Sequence, residues 1–228
     1  MTRFDRTLTA VASAVLVLAG VATPGLAAEP PQSTDDGLQL QTRTKTRLVY
    51  VKPGATLAPY RRVHILDCYV EFEPDWQKDY NRSATGLQRR VTDQDVERMK
   101  QGLAGECRKV FAKELQEKGG YEVVGAAAPD VLVLRPALVN VEVAAPDLMA
   151  PGIGATIVRS AGQMTLYLEL WDAASSTLLA RVVDAKADSD GFAQRADRVT
   201  NTQAADRILR GWASELREHL DAATGQAK

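Results

Sequence analysis

The chain has 228 residues, 45% of them hydrophobic, with 28 Lys and Arg against 29 Asp and Glu. That length and apolar content suit one domain with a real core. A formal charge of −1 gives no electrostatic reason to expect nucleic acid or an acidic membrane surface as partner.

Residues 1–28 read as a secretory signal peptide: Arg3 and Arg6, an apolar run Leu8–Val21, then Pro24-Gly25-Leu26-Ala27-Ala28. The run is about fourteen residues, short of the roughly twenty needed to span a bilayer as a helix. Cleavage is expected after Ala27 or Ala28. No cysteine lies near that junction, so the expected product is a periplasmic protein without a lipoprotein anchor or a transmembrane span.

Residues 29–46 are polar and Pro-rich and read as a flexible lead-in, with Leu38 and Leu40 as its anchors. A single domain is expected over 47–225. Arg47–Lys52 reads as a short strand stopped by Pro53-Gly54. One strand is expected over Arg62–Phe72, with Leu66, Cys68, Val70 and Phe72 on one face by its period of two. A polar loop follows through Trp76 and Tyr80 to Arg90. Thr92 and Asp95 then form a capping box opening a helix to about Lys118, which Gly119-Gly120 terminates. Its apolar stripe is Val96, Met99, Leu103, Cys107, Val110 and Phe111.

Tyr121–Val124 and Asp130–Val143 read as strands, with Pro136 arguing for a bulge or a sheet edge. Gln163–Trp171 and Thr177–Lys186 form a hairpin around Asp172–Ser176, placing Thr165, Tyr167, Glu169 and Trp171 together on one face. A last helix over about Asn201–Ala223 carries Ile208, Leu209, Trp212, Leu216 and Leu220 at helical spacing. The expected fold class is α+β: a mixed or antiparallel sheet of about five to six strands with two long amphipathic helices packed on one face.

Cys68 and Cys107 point toward the same strand–helix interface. Two readings stand: a disulfide closing a loop of roughly forty residues, for about 4 kcal/mol, or two buried thiols acting as small hydrophobes.

Chemistry is sparse. Neither His64 nor His219 has a recognisable ligand or triad spacing, and no serine sits in a G-x-S-x-G elbow. Asp184, Asp188, Asp190 and Gly191 suggest calcium, but an EF-type frame puts Lys186 where an anion is required. No metal, cofactor or catalytic residue is expected. Ala144–Gly162, with Leu148, Met149 and Ile153, is a long apolar-containing loop between two strands. Those residues either meet a partner or fold back over the sheet end. Trp76 and Tyr80 invite the same contact reading.

In order and spacing, several segments resemble the bacterial envelope family known as domain of unknown function 3313. They are Tyr50-Val51-Lys52-Pro53-Gly54-Ala55-Thr56-Leu57, Val70-Glu71-Phe72, Ala128-Pro129-Asp130-Val131-Leu132, Leu168-Glu169-Leu170-Trp171-Asp172 and Trp212-Ala213 with Leu216. The resemblance covers roughly residues 36–222 and implies an exported protein. It brings no activity or site residue. The expected function is a non-catalytic binding or accessory module of the cell envelope, with an envelope protein as partner. The alternatives are an envelope enzyme of unrecognised type or a structural envelope protein.

Overall fold

The computed structural model describes residues 29–85, 90–117, 120–143, 156–158, 162–187, 194–196 and 198–225. The chain divides between Pro30 and Pro31, and every element belongs to the second unit. In order these are β1 (Gln39–Arg43), β2 (Arg47–Val51), β3 (Arg62–Ile65), β4 (Tyr69–Phe72), α1 (Trp76–Ser83), α2 (Asp93–Gln116), β5 (Glu122–Val123), β6 (Val131–Val143), β7 (Thr156–Val158), β8 (Gly162–Asp172), β9 (Thr177–Ala187), β10 (Gln194–Ala196) and α3 (Arg198–Thr224).

Among the described residues the main sheet is mixed and eight-stranded, in the order β1-β2-β9-β8-β6-β3-β5, with β4 also on β6. β7 and β10 form a separate antiparallel pair. The class α+β holds, but the sheet exceeds the expected five to six strands. β1 lies inside the polar lead-in, where sequence gives no alternation. β3 and β4 divide what reads as one strand.

That division changes the facing of side chains. The chain leaves the sheet at Leu66-Asp67, so Val63 and Ile65 are buried before it and Cys68, Val70 and Phe72 after it. Leu66 is only half-buried and does not share a face with Cys68. The break also explains Pro136. β6 runs parallel to β3 through Leu134 and parallel to β4 from Ala137, so the residue without an N–H falls where the partner changes. β6 is therefore central rather than an edge strand. The irregularity in β6 lies further on, between Val139 and Glu142, with Asn140 at φ 51°.

The helices follow their local signals. Thr92 and Asp95 form the capping box: Asp95 N–H donates to Thr92 Oγ1 (3.2 Å) and Thr92 N–H to Asp95 Oδ2 (3.0 Å). α2 ends against α3, where Arg217 Nη1 donates to the carbonyls of Glu114 (3.0 Å), Leu115 (3.3 Å) and Glu117 (2.6 Å). A cation there satisfies carbonyls that a helix C-terminus leaves open. Gly120 is required by space: a Cβ would collide with the Leu115 carbonyl oxygen and the Arg217 guanidinium. Gly120→Ala is expected to cost about 1–3 kcal/mol by overpacking, read as a lower urea midpoint at unchanged slope.

Both long helices contribute to one core. Phe111 and Leu115 of α2 and Leu209, Trp212 and Leu220 of α3 join Leu132, Leu134 and Leu138 of β6 and Leu166, Leu168 and Leu170 of β8. Burying each such side chain contributes about 1.5–3 kcal/mol. Cys68 and Cys107 are joined as a disulfide within this core, with Cα atoms 6.4 Å apart, tying the start of β4 to α2. Of the two readings the residues left open, the bonded one is present. Trp76 and Tyr80 sit on α1 rather than in a loop.

α3 is further fixed to β2 and β9 by a polar network inside the core face. Asp184, 2% exposed, accepts from Arg47 Nη2 (2.8 Å) and from Trp212 Nε1 (2.7 Å). Arg47 also pairs with Glu215, which Lys186 reaches at 3.4 Å while lying over the Trp212 ring. Asp184 is thus an ion-pair partner of Arg47. Asp188, Asp190 and Gly191 lie outside the described residues.

Candidate functional site

Alternation along β8 sends Leu166, Leu168 and Leu170 to the helices and Tyr167, Glu169 and Trp171 to the opposite, outer face. Among the described residues no helix packs on that face. Register then decides what meets there. One row crosses the sheet as Tyr69, Ala137, Tyr167, Val183 and Leu48, each paired with the next. The adjacent row is Arg135, Glu169, Arg181 and Tyr50. An apolar and aromatic row therefore lies beside a charged one.

Glu169 is the centre of the charged row, and its side chain is only 7% exposed. Oε1 accepts from Arg181 Nη2 (2.9 Å), Arg181 Nε (3.2 Å) and the Tyr167 hydroxyl (3.2 Å). Oε2 accepts from Trp171 Nε1 (3.2 Å) and Arg135 Nη1 (3.4 Å). A carboxylate this buried is tolerated because both oxygens are satisfied. Its effect is to hold Arg181, Tyr167 and Trp171 in one arrangement, with Arg135 at the margin. Arg181 also lies over the Tyr167 ring, 5.5 Å from its centroid, and burial pushes the Tyr167 hydroxyl above its ordinary pKa.

One end of the outer face is covered by the N-terminal turn. Leu38, fully buried, packs with Tyr50 and Leu178, and Trp171 packs against that cluster. Gly37 gives the turn its left-handed residue at φ 81°. Asp36 pairs with Arg181, and its carboxyl is held below the usual range by the Thr34 hydroxyl and then by Arg181. The lead-in thus packs its Leu38 anchor into a satellite core.

Among the described residues nothing covers the other end. Tyr69 is 58% exposed and donates its hydroxyl to Glu71 Oε2 at 2.5 Å. Lys100, from α2, reaches the same carboxylate at 3.2 Å. The Tyr69 hydroxyl and then Lys100 hold the Glu71 carboxyl low. Arg135 is 65% exposed and touches Glu169 only at the far side of that saturated carboxylate.

The sites expected from sequence fall elsewhere. Trp76 stacks between Phe72 (4.6 Å between centroids) and Tyr80 (5.9 Å) and donates Nε1–H to the Val143 carbonyl at 3.3 Å. Both rings are half-buried, and Trp76 packs against the main core. Leu148, Met149 and Ile153 lie outside the described residues. His64 hydrogen-bonds through Nδ1 to the Val124 carbonyl at 2.9 Å, a tie between β3 and the end of β5. Tyr69 and Arg135 were legible as exposed positions of strands, but their adjacency depends on β4 pairing with β6.

No curated protein matches the chain. A solved PelC dodecamer from Paraburkholderia phytofirmans is similar at 11% identity, covering 75% of this chain and 97% of that one, with a TM-score of 0.38. Protein XCC0632 from Xanthomonas campestris is similar at 12% identity, covering 77% and 91%, with a TM-score of 0.39. A putative neuraminyllactose-binding hemagglutinin homolog from Helicobacter pylori gives 12% identity, 76% and 86% coverage, and a TM-score of 0.31. The family model described as protein of unknown function (DUF3313) matches residues 33–216, and the chain belongs to that family.

Proposed function

We propose that this protein is an exported binding or accessory module of the cell envelope and that the open end of the outer sheet face is its contact surface. The observation that carries the reading is the pairing of exposed Tyr69 with the Ala137–Tyr167 row beside exposed Arg135. Tyr and Arg on a rigid, water-excluding support are the residue types that dominate interface energetics. Here Glu169 supplies the rigidity. Export is supported by the charged and apolar pattern of residues 1–28 and by a disulfide, which persists in an oxidising compartment. Leu148, Met149 and Ile153 are proposed as a second contact element on their chemistry alone.

The test is photo-crosslinking in intact cells from a reactive residue placed at position 69. The expected result is one dominant adduct with an envelope protein, lost when Arg135 is changed to Glu. In the purified pair, Tyr69→Ala is expected to weaken binding about tenfold, a cost near 1.4 kcal/mol. Leu148→Ser with Met149→Ser is expected to reduce the adduct. An adduct-free protein that is folded and fractionates with the periplasm would overturn the contact assignment. Retention of residues 1–28 in a cytoplasmic protein would overturn the export assignment.

A further inference from the structure

We infer that the open face pairs with a second copy of this chain, face to face about a two-fold axis lying over the Tyr69–Ala137–Tyr167 row. This rests on the reading that the open face is a contact surface, and names its partner.

The inference follows from where charge sits relative to that row. Arg135 lies two residues before Ala137 on β6, and Glu71 lies two residues after Tyr69 on β4. β4 and β6 are parallel neighbours paired at Tyr69–Ala137 and Val70–Leu138, with an extra β6 residue opposite Glu71, so the cation and the anion stand on opposite sides of the row, each two residues from it along its own strand. A two-fold axis across the strands, in the plane between two stacked sheets, places each residue opposite the position equally far beyond the axis. Tyr69, Ala137 and Tyr167 then stack on themselves. Arg135 comes over the Val139 position of the second copy, with Glu71 of that copy on the adjacent strand, about 5 Å to the side. An arginine side chain spans that offset. The relation is isologous, so each pair forms twice.

The remaining charges agree with this arrangement. Arg135 is 65% exposed, and the Glu169 carboxylate that it touches is already occupied by Arg181, Tyr167 and Trp171. Its guanidinium therefore keeps donors for an anion outside the protomer. Glu71 is 48% exposed, with acceptor capacity beyond Tyr69 and Lys100. The N-terminal turn at Leu38 closes the other end of the face. The contact is consequently confined to β4, β6, β8 and part of β9, which is small for an obligate dimer and suits a concentration-dependent one.

The experiment is sedimentation velocity on the mature, oxidised chain from low micromolar to near-millimolar concentration. The expected result is a reversible monomer–dimer equilibrium that weakens with added salt. Arg135→Glu alone and Glu71→Arg alone should each shift the dissociation constant at least tenfold toward monomer. The double variant Arg135→Glu/Glu71→Arg should restore dimer, and that rescue excludes a fold defect as the cause of the single losses. A monomer throughout, or a dimer that both single variants leave unchanged, overturns the inference. If the chain stays monomeric while the position-69 crosslinker captures a different envelope protein, the two-fold pairing falls and the binding-module reading stands. If neither association is seen, both fall.

Discussion

Replacing Asp184 by alanine is expected to destabilise the protein by about 2–4 kcal/mol. Removing one partner of a buried ion pair ordinarily costs about 3–5 kcal/mol, because the other charge is left without compensation. The lower range applies because Arg47 is 26% exposed and keeps Glu215 as an acceptor. Two further losses add to it: Trp212 Nε1 loses its acceptor inside the core, and the site is left partly empty. Asp184→Asn should cost clearly less, since an amide oxygen can still accept from Trp212. Urea titrations of the three proteins would show the ordering. Equal midpoints for Asp184→Ala and wild type would mean that the network does not bind α3 to the sheet.

Breaking the Cys68–Cys107 bond should have an effect of similar size by another route. The two residues are 39 apart in sequence, and closing a loop of that length in the unfolded chain is worth about 4 kcal/mol in the chain-entropy estimate. For a domain of this size that corresponds to a fall in melting temperature of roughly 10 °C. Cys68→Ser/Cys107→Ser and reduction of the wild type should both lower the thermal unfolding midpoint by about that amount. Since both cysteines are also buried in the main core, the serine variant should lose slightly more than the reduced protein. A double variant as stable as the oxidised wild type would show that the bond adds nothing to the packing of α2 on β4.

Much of this molecule could be read from local pattern. The capping box at Thr92, the stripe of α2, the hairpin of β8 and β9 and the stripe of α3 each rest on neighbours within four residues, or on strict alternation. Such signals survive without knowledge of the rest of the chain. The failures also have a physical cause. Arg62–Phe72 is β-rich on both sides of Leu66-Asp67, so the single Asp67 is too weak a local mark to show the break between β3 and β4 or the change of facing at Cys68. Trp76–Ser83 is polar enough to pass for a loop, and forms a helix where Trp76 can stack on Phe72. β1 pairs with β2 although its own burial alternates weakly.

The candidate site shows the same division more sharply. Sequence alone determined that Tyr167, Glu169 and Trp171 share a face, that Cys68 and Cys107 could meet, and which family the chain resembles. It could not determine that Arg135 and Arg181 stand on either side of Glu169, or that Tyr69 continues the row begun by Ala137 and Tyr167. Those adjacencies are set by strand order and register between segments up to a hundred residues apart. A one-residue slip would send every one of these side chains to the other face. Only the packing of α2 and α3 on the opposite side settles that register and leaves Tyr69 and Arg135 exposed on the outer face.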